Sequence, residues 1–521
     1  MTFVGKITRF IERYENIPMG FGLWLSVALS IIFIRDGIES LLTTQNFASA
    51  NAFHLLHFPV FFLSLLVCII IALHLFTRTE IQKVSKIALI PFSVIILPVI
   101  IDLAISSMAK TEITYIYLTE NFWQVLLRFF DPSYRAAELP TGIRIEIVLV
   151  ILMSFGYIFL KRKNLAIAFF GATAIYILCF LYISVTAVLI EFFRFLAFLI
   201  NTLHLANFPF EKGYIDESLI SILELILVSF ASLFWFWRHN PTKCKAIINN
   251  MRLTRSLHYI FLCLAGILLY SLGLSMPDLF TLVRIAGMFF AIFFAFQFSV
   301  VINDIFDIDC DKLSNAGRPL ITQNLTSNEY FKIGLVYLGL SLLFGYWVSG
   351  TCLMITILFI CGYFVYSVPP LRLKRFFPIS SLAIGLQAVL AFALGRLSFA
   401  ENLSQAYYDI PIFWLIFTAF TLSSTVKDLK DIDGDRKTEV ATLPVLFGRM
   451  GSRKIIAFLV LISYCCAPYF ITLRFQKPYG LVLSIIFGLV NFFYIRRRES
   501  QEQVIFIMYF IYALFLIFII K

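Results

Sequence analysis

Apolar runs of roughly 20 residues, separated by short polar stretches, recur along the whole chain, and each run of that length predicts a membrane-spanning helix. Read this way the chain holds about fifteen spans. Six begin near residues 20, 55, 87, 143, 164 and 217, and nine near 257, 279, 331, 351, 379, 408, 455, 479 and 503. The expected fold class is an all-α polytopic membrane protein. Alternate breaks are basic: Lys6/Arg9/Arg13, then Arg78/Lys83/Lys86, then Lys161/Arg162/Lys163, then the stretch from Arg238 to Arg255. Because cytoplasmic loops carry the excess of Lys and Arg, this alternation places the N-terminus and residues 238–255 in the cytoplasm. Continuing the count puts the loop with Arg372/Lys374/Arg375 and the run Arg496/Arg497/Arg498 on the same side, with Lys521 outside. The first apolar run is long and lacks a small-residue cleavage site, so it reads as a signal anchor.

The polar stretch RHNPTKCKAIINNMRLTR interrupts this pattern near residues 238–255. It divides the chain into a membrane domain over 1–237, a basic cytoplasmic linker over 238–255 and a second membrane domain over 256–521. The first domain carries charges at its outer ends: Arg35, Asp36, Glu39, Asp102, Arg144, Glu146, Glu191, Arg194, Glu217 and Glu224. Acid–base pairs reaching for the interface account for them structurally; a lipid or a partner enzyme bound by this half is the functional alternative. Residues 115–130 are expected to lie as an amphipathic helix on the outer surface.

Composition narrows the function. The chain is 60% hydrophobic and 14% charged, with 59 Phe, and its net charge of +11 is spent on short loops, so nucleic acid is excluded as a partner. The nine Cys lie mostly inside apolar runs without CxxC spacing, which assigns them to packing and not to zinc or disulfides. Histidine chemistry is not expected near the polar clusters of the second half, where no His follows His258.

Two acidic clusters with one internal spacing stand at the ends of apolar runs: NDIFDIDCD, Asn303 to Asp311, and DLKDIDGD, Asp428 to Asp435. On a helix, positions i, i+3 and i+7 fall within about 60° of one another. Asp304, Asp307 and Asp311 are therefore expected on one face, as are Asp428, Asp431 and Asp435, while Asp309 and Asp433 point elsewhere. Each carboxylate would cost about 2.5–3.5 kcal/mol facing lipid, so the clusters border water or bind counter-charge. Two facing triads of hard oxygen ligands suit Mg²⁺ ions holding a phosphorylated substrate.

These motifs make residues from about 251 to 521 resemble the UbiA superfamily of intramembrane prenyltransferases. Asn303, Asp304, Asp307 and Asp311 match the family's NDxxDxxxD, followed by Asn-x-Gly-Arg-Pro-Leu at Asn315 to Leu320; Lys427, Asp428, Asp431, Gly434, Asp435, Arg436 and Lys437 match the second motif, and YSVPPLRLKR at Tyr366 to Arg375 the third. MRLTRSLH, Met251 to His258, looks like the start of the first catalytic span in aromatic-acid members, with Arg252 on its arginine but Thr254 and Ser256 replacing aspartate and proline. The resemblance implies a nine-helix bundle around a central cavity, preceded here by about six further helices.

It further implies Mg²⁺-dependent transfer of a polyprenyl group from a prenyl diphosphate to a hydrophobic or aromatic acceptor, at a site facing the cytoplasm of a plasma membrane. The six aspartates of the two triads are the expected catalytic and metal-binding residues. Asn303, Arg318, Arg372, Lys374, Arg375, Lys427 and Arg252 are the expected substrate-binding ones. Quinone precursors, tetrapyrroles and glycerophospholipid precursors all qualify as acceptors. The alternatives are a terpene cyclase of the same superfamily and, in a different class, an ion-coupled transporter.

Overall fold

A computed structural model describes residues 3–44, 52–109, 122–131, 140–202, 217–270, 279–399, 407–429, 432–437, 440–476, 480–497 and 502–520. Among the described residues there is no strand, and the one β-type bridge joins Phe376 to Ala441. The chain forms two compact units, Met1–Cys244 with Asp278–Val283, and Lys245–Pro277 with Arg284–Lys521. Twelve helices among the described residues are long and apolar enough to cross a membrane.

The first unit runs α1 (Phe3–Glu15), α2 (Phe21–Thr44), α3 (Ala52–Thr77), α4 (Ile81–Phe92), α5 (Leu97–Ala109), α6 (Phe122–Arg128), α7 (Thr141–Arg162), α8 (Leu165–Ile183), α9 (Val185–Thr202) and α10 (Glu217–His239). A 3-10 turn over Ser93–Ile96 joins α4 to α5, and the joined stretch Ile81–Ile105 is long and apolar enough to be one span. Polar side chains end these helices locally. Asn164 accepts the Ile167 N–H at 3.0 Å to start α8 after Lys163 turns left-handed, a common cap arrangement. Leu66, Ile70, Ile158, Ile175 and Phe180 form the centre of its core, while Phe169, Phe170, Phe195 and Phe198 project outward. In lipid such a core holds by close packing and internal hydrogen bonds.

Helix α9 departs from expectation. The sequence placed only charges of an outer segment there, yet Val185–Thr202 is helical, with Glu191 and Arg194 paired at 2.6 Å on its exposed face. Of the amphipathic helix expected over 115–130, residues 115–121 lie outside the described residues, and the helix present is the seven-residue α6. Some of the charges of this unit are paired: Arg35 meets Asp36 at 3.1 Å and Glu39 at 2.7 Å and stacks over Phe58 and Phe62; Asp102 instead accepts the Gly142 N–H at 2.6 Å.

The second unit continues with α11 (Pro241–Asn250), α12 (Leu253–Tyr270), α13 (Leu279–Phe306), α14 (Ile308–Ser314), α15 (Ser327–Val348), α16 (Gly350–Ser367), α17 (Ile379–Leu397), α18 (Ile410–Ser423), α19 (Ile432–Lys437), α20 (Leu443–Phe475), α21 (Leu481–Arg496) and α22 (Glu502–Ile520). Helices α11 and α12 meet at a 55° bend and together qualify as one span; α21 and α22 contain apolar stretches shorter than the other spans. A capping box, Thr326 with Glu329, opens α15, and Ser349 caps α16.

Two features set the shape around the site. Helices α12 and α17 approach so closely that a Cβ on Gly395 would strike the Cys263 carbonyl, and one on Gly266 the Phe392 carbonyl. Helix α20 starts at Leu443, well before the span expected near 455, because Gly448 (φ 70°, ψ 168°) lets two helical pieces join at a kink that an L-residue side chain would strain.

Candidate active site

The first acidic motif does not ride on one continuous helix. Helix α13 ends at Phe306, Asp307 leaves helical geometry (φ −110°, ψ 12°), and the short α14 carries Asp309 and Asp311. The break has a partner far along the chain: Arg372 donates to the Phe306 carbonyl at 3.2 Å and to Asp307 Oδ1 at 2.9 Å. A helix end whose carbonyl is satisfied by a cationic side chain can stop where its own ladder would otherwise go on. Arg372 itself sits in the left-handed region (φ 39°, ψ 56°), which turns the loop after α16 toward α13. Lys374 of the same loop pairs with Asp307 Oδ1 and reaches Asn303 Oδ1 at 3.4 Å, and Ser367 Oγ donates to Asn303 Oδ1 at 3.3 Å.

The three aspartates of the first triad consequently differ. Asp304 is buried, and its carboxylate receives Arg252 Nη2 at 2.6 Å, Asn250 Nδ2 at 2.8 Å, Tyr330 Oη at 3.2 Å and Arg318 Nη1. Asp311 accepts from Asn315 Nδ2 at 3.0 Å and pairs with Arg318 at 3.0 Å. Asp309 is exposed and pairs with Lys312 at 2.9 Å, pointing elsewhere as its spacing required. Burial works against the charged form of Asp307, but Lys374 and Arg372 outweigh it and hold the carboxyl below the usual range. For Asp311 burial wins over Arg318, with the Asp304 charge adding to it, and the carboxyl is pushed up to about 6.

The second motif is broken as well. A 3-10 turn over Ser424–Leu429 holds Lys427 and Asp428, and α19 holds Asp435, whose Oδ2 accepts from Thr442 Oγ1 at 3.2 Å. Asp431 lies outside the described residues. Lys427 Nζ donates to Tyr366 Oη at 2.8 Å, and the Ala441 N–H donates to the Arg375 carbonyl at 3.0 Å. Those two bonds tie the loop after α16 to the second motif, as Arg372 and Lys374 tie it to the first.

One cavity of about 700 Å³ brings these elements together. Asn303, Asp307, Asp311, Asp428 and Asp435 line it, with Arg252, Arg255, Arg318, Arg372, Lys374 and Lys427 among them. Tyr259, Phe296, Tyr363, Tyr366, Phe420 and Phe506 supply an aromatic wall, in which Tyr259 and Tyr363 share a hydrogen bond. His258 also faces the cavity, packed edge-on against Phe506 at 4.5 Å, so a histidine does stand near the clusters although its setting is aromatic.

Two expected site residues are not on the cavity wall: Asp304, turned into its clamp of donors, and Arg375, whose side chain is exposed and whose backbone makes the bridge to Ala441. Asn250, Tyr330, Asn315 and Thr442 were not expected as partners of the acidic motifs, yet each is hydrogen-bonded to a motif aspartate. Asn315 belongs to a motif already singled out; nothing in the local sequence around Tyr330 signals a contact with Asp304, 26 residues earlier. Among the described residues, no three carboxylate, imidazole or thiolate groups converge closely enough to hold a metal ion alone.

Residues 259–515 match the family model for the UbiA prenyltransferase family; the match takes in none of the first unit's helices before α13. Digeranylgeranylglyceryl phosphate synthase of Methanocaldococcus jannaschii is 26% identical over 198 residues, which cover 38% of this chain and 67% of that one. Homogentisate phytyltransferase of Synechocystis is 29% identical over 162 residues, 29% of this chain and 50% of that one. A solved structure of a UbiA homolog from Archaeoglobus fulgidus bound to GPP and Mg²⁺ overlaps 53% of this chain and 98% of its own, at 21% identity and a TM-score of 0.43.

Proposed function

We propose, from the match of residues 259–515 to the UbiA prenyltransferase family, that the cavity transfers a polyprenyl group from a prenyl diphosphate to an acceptor, releasing diphosphate. The observation that carries this reading is the composition of one wall: oxygen ligands from both acidic motifs interleaved with six cationic groups and backed by aromatic rings. A prenyl diphosphate has the matching two ends, an apolar tail and a head of several negative charges.

Mg²⁺ suits this donor set. It is commonly held by one or two carboxylates together with substrate phosphates and water, not by an all-protein cage. Carboxylates of both acidic motifs on the wall of one cavity suit that mode of binding. Asp307, Asp311, Asp428, Asp435 and Asn303 would hold it, with Asp431 joining them by its motif position. When bound, Mg²⁺ neutralises charge developing on the departing diphosphate.

The chain's own residues do the rest. Arg372, Lys374, Lys427, Arg252 and Arg318 stabilise the diphosphate oxygens, the arginines in a bidentate manner. Tyr259, Tyr363 and Phe296 would exclude water and offer π-electrons, which favour a developing allylic cation. As the carbon–oxygen bond breaks, the acceptor's electron pair forms the new bond to the allylic carbon, and the acceptor proton passes to a cavity carboxylate or to diphosphate. Acceptors of the kinds that the two relatives' names indicate, a prenylated glyceryl phosphate or an aromatic ring, are both of suitable chemistry. The basic loops support a site on the cytoplasmic face of a plasma membrane. The first unit, with charges at the outer ends of its helices, would serve a lipid or a partner enzyme.

The test incubates membranes containing the full chain with labelled prenyl diphosphates of several lengths, a panel of acceptors, and Mg²⁺ or a chelator. Mg²⁺-dependent, acceptor-dependent product supports prenyl transfer. Label released as a hydrocarbon without acceptor would instead show a cyclase, and turnover-free ion flux a transporter.

A further inference from the structure

Asp304 is held by four side-chain donors. Its side chain is 1% exposed, and each oxygen takes two donors: Arg252 Nη2 and Arg318 Nη1 on Oδ1, Asn250 Nδ2 and Tyr330 Oη on Oδ2. A carboxylate offers about four lone-pair sites. All are occupied here, and two of the donors are guanidinium groups. Asp307 and Asp311, by contrast, face the cavity.

The donors come from three separate places: the bend between α11 and α12, the loop after α14, and the first turn of α15. Arg252, Arg318 and Asn250 line the cavity although the carboxylate that holds them does not. Left to themselves, two arginines on one wall repel each other and sample many rotamers; a shared buried carboxylate fixes both.

We propose that Asp304, despite its place in the acidic motif, takes no metal and is a positioning residue that aims Arg252 and Arg318 at the diphosphate end of the cavity. This rests on the prenyl-transfer reading. It assigns the first motif two jobs: Asp307 and Asp311 face the bound cation and substrate, and Asp304 organises the cationic groups that meet the anion.

The measurement uses the purified full chain, Mn²⁺ as the metal probe followed by electron paramagnetic resonance, and geranyl S-thiolodiphosphate as an unreactive donor analogue. Asp304→Asn should leave Mn²⁺ affinity at saturating analogue within about twofold of wild type while weakening the analogue at saturating Mn²⁺ by about tenfold. Asp307→Asn should weaken Mn²⁺ itself by about tenfold or more. Losses of analogue affinity in Asp304→Asn and Arg252→Ala should be non-additive, since one acts through the other. A merely architectural residue would move both constants together. Tyr330→Phe, which removes one donor and no charge, keeps the split readable if Asp304→Asn does not fold: analogue affinity falls and Mn²⁺ affinity does not. An equal loss of Mn²⁺ affinity in Asp304→Asn and Asp307→Asn, or additive losses with Arg252→Ala, overturns the proposal. A wild-type protein that binds neither probe overturns the prenyl-transfer reading, and the proposal with it.

Discussion

Lys374 Nζ rests on Asp307 Oδ1, a pair formed across 67 residues of sequence, and it fixes the loop after α16 against the end of α13. Asp307→Asn should reduce kcat by about 10²–10³-fold, the usual cost of removing one strong electrostatic element from an active site. Lys374→Ala should raise KM for the prenyl diphosphate and lower kcat less. Steady-state kinetics on purified protein check both; equal kcat losses would mean that Lys374 acts in the chemical step itself.

Asp309→Asn should behave like wild type. Its carboxylate is exposed and its partner Lys312 is a surface residue, a pair worth about 0–1 kcal/mol. Retained turnover and an unchanged Tm are the expected results, and they separate the helix-face logic of the motif from a simple count of acids.

The Asp311 carboxyl lies near 6, so the free protein gains a proton there as the pH falls through that value. Its charged form is the one suited to a cation, so kcat/KM should decline on the acid side of about 6. A Mg²⁺ ion held there would compete with that proton, so raising its concentration should move the inflection to lower pH. A profile flat down to pH 5 at limiting Mg²⁺ would contradict the assignment.

Gly395→Val should destabilise the protein by about 1–3 kcal/mol, because the new side chain meets the Cys263 carbonyl across the α12–α17 contact. Gly339, on α15 with open space at its Cβ position, should accept Ala without loss. Thermal unfolding in detergent distinguishes the two.

Tyr366→Phe removes the hydroxyl that accepts from Lys427 Nζ and should lower kcat/KM by about tenfold with normal folding. Restoration of that loss by Lys427→Ala in the same chain would show that the bond restrains the lysine without aiming it.

The spans were legible in the sequence because lipid imposes a length and an apolarity that each segment must meet alone. What was not legible depended on distant partners. The helical-face argument treated Asp304, Asp307 and Asp311 as equivalent, yet Arg372 and Lys374 pull Asp307 out of helix, and Asn250, Arg252 and Tyr330 turn Asp304 inward. Helix α9 escaped because Glu191 and Arg194 interrupt its apolar run, and the early start of α20 because Gly448 hides a kink between two helical pieces. Local pattern reports what a segment requires of lipid; it does not report which segment supplies a counter-charge.

The cationic partners of Asp307 and Asp311 make loading of the cavity an exchange. An anion that draws Lys374 and Arg372 to itself strips Asp307 of its neutralising charge, which a buried carboxylate tolerates only if a cation steps in. On the proposed function, donor and metal should therefore strengthen each other's binding reciprocally, and free anions without a metal ion should compete poorly. Because an anion and a cation of opposing charge would enter together, the net charge taken up is small, and affinity should depend on ionic strength less than it would for an open basic patch.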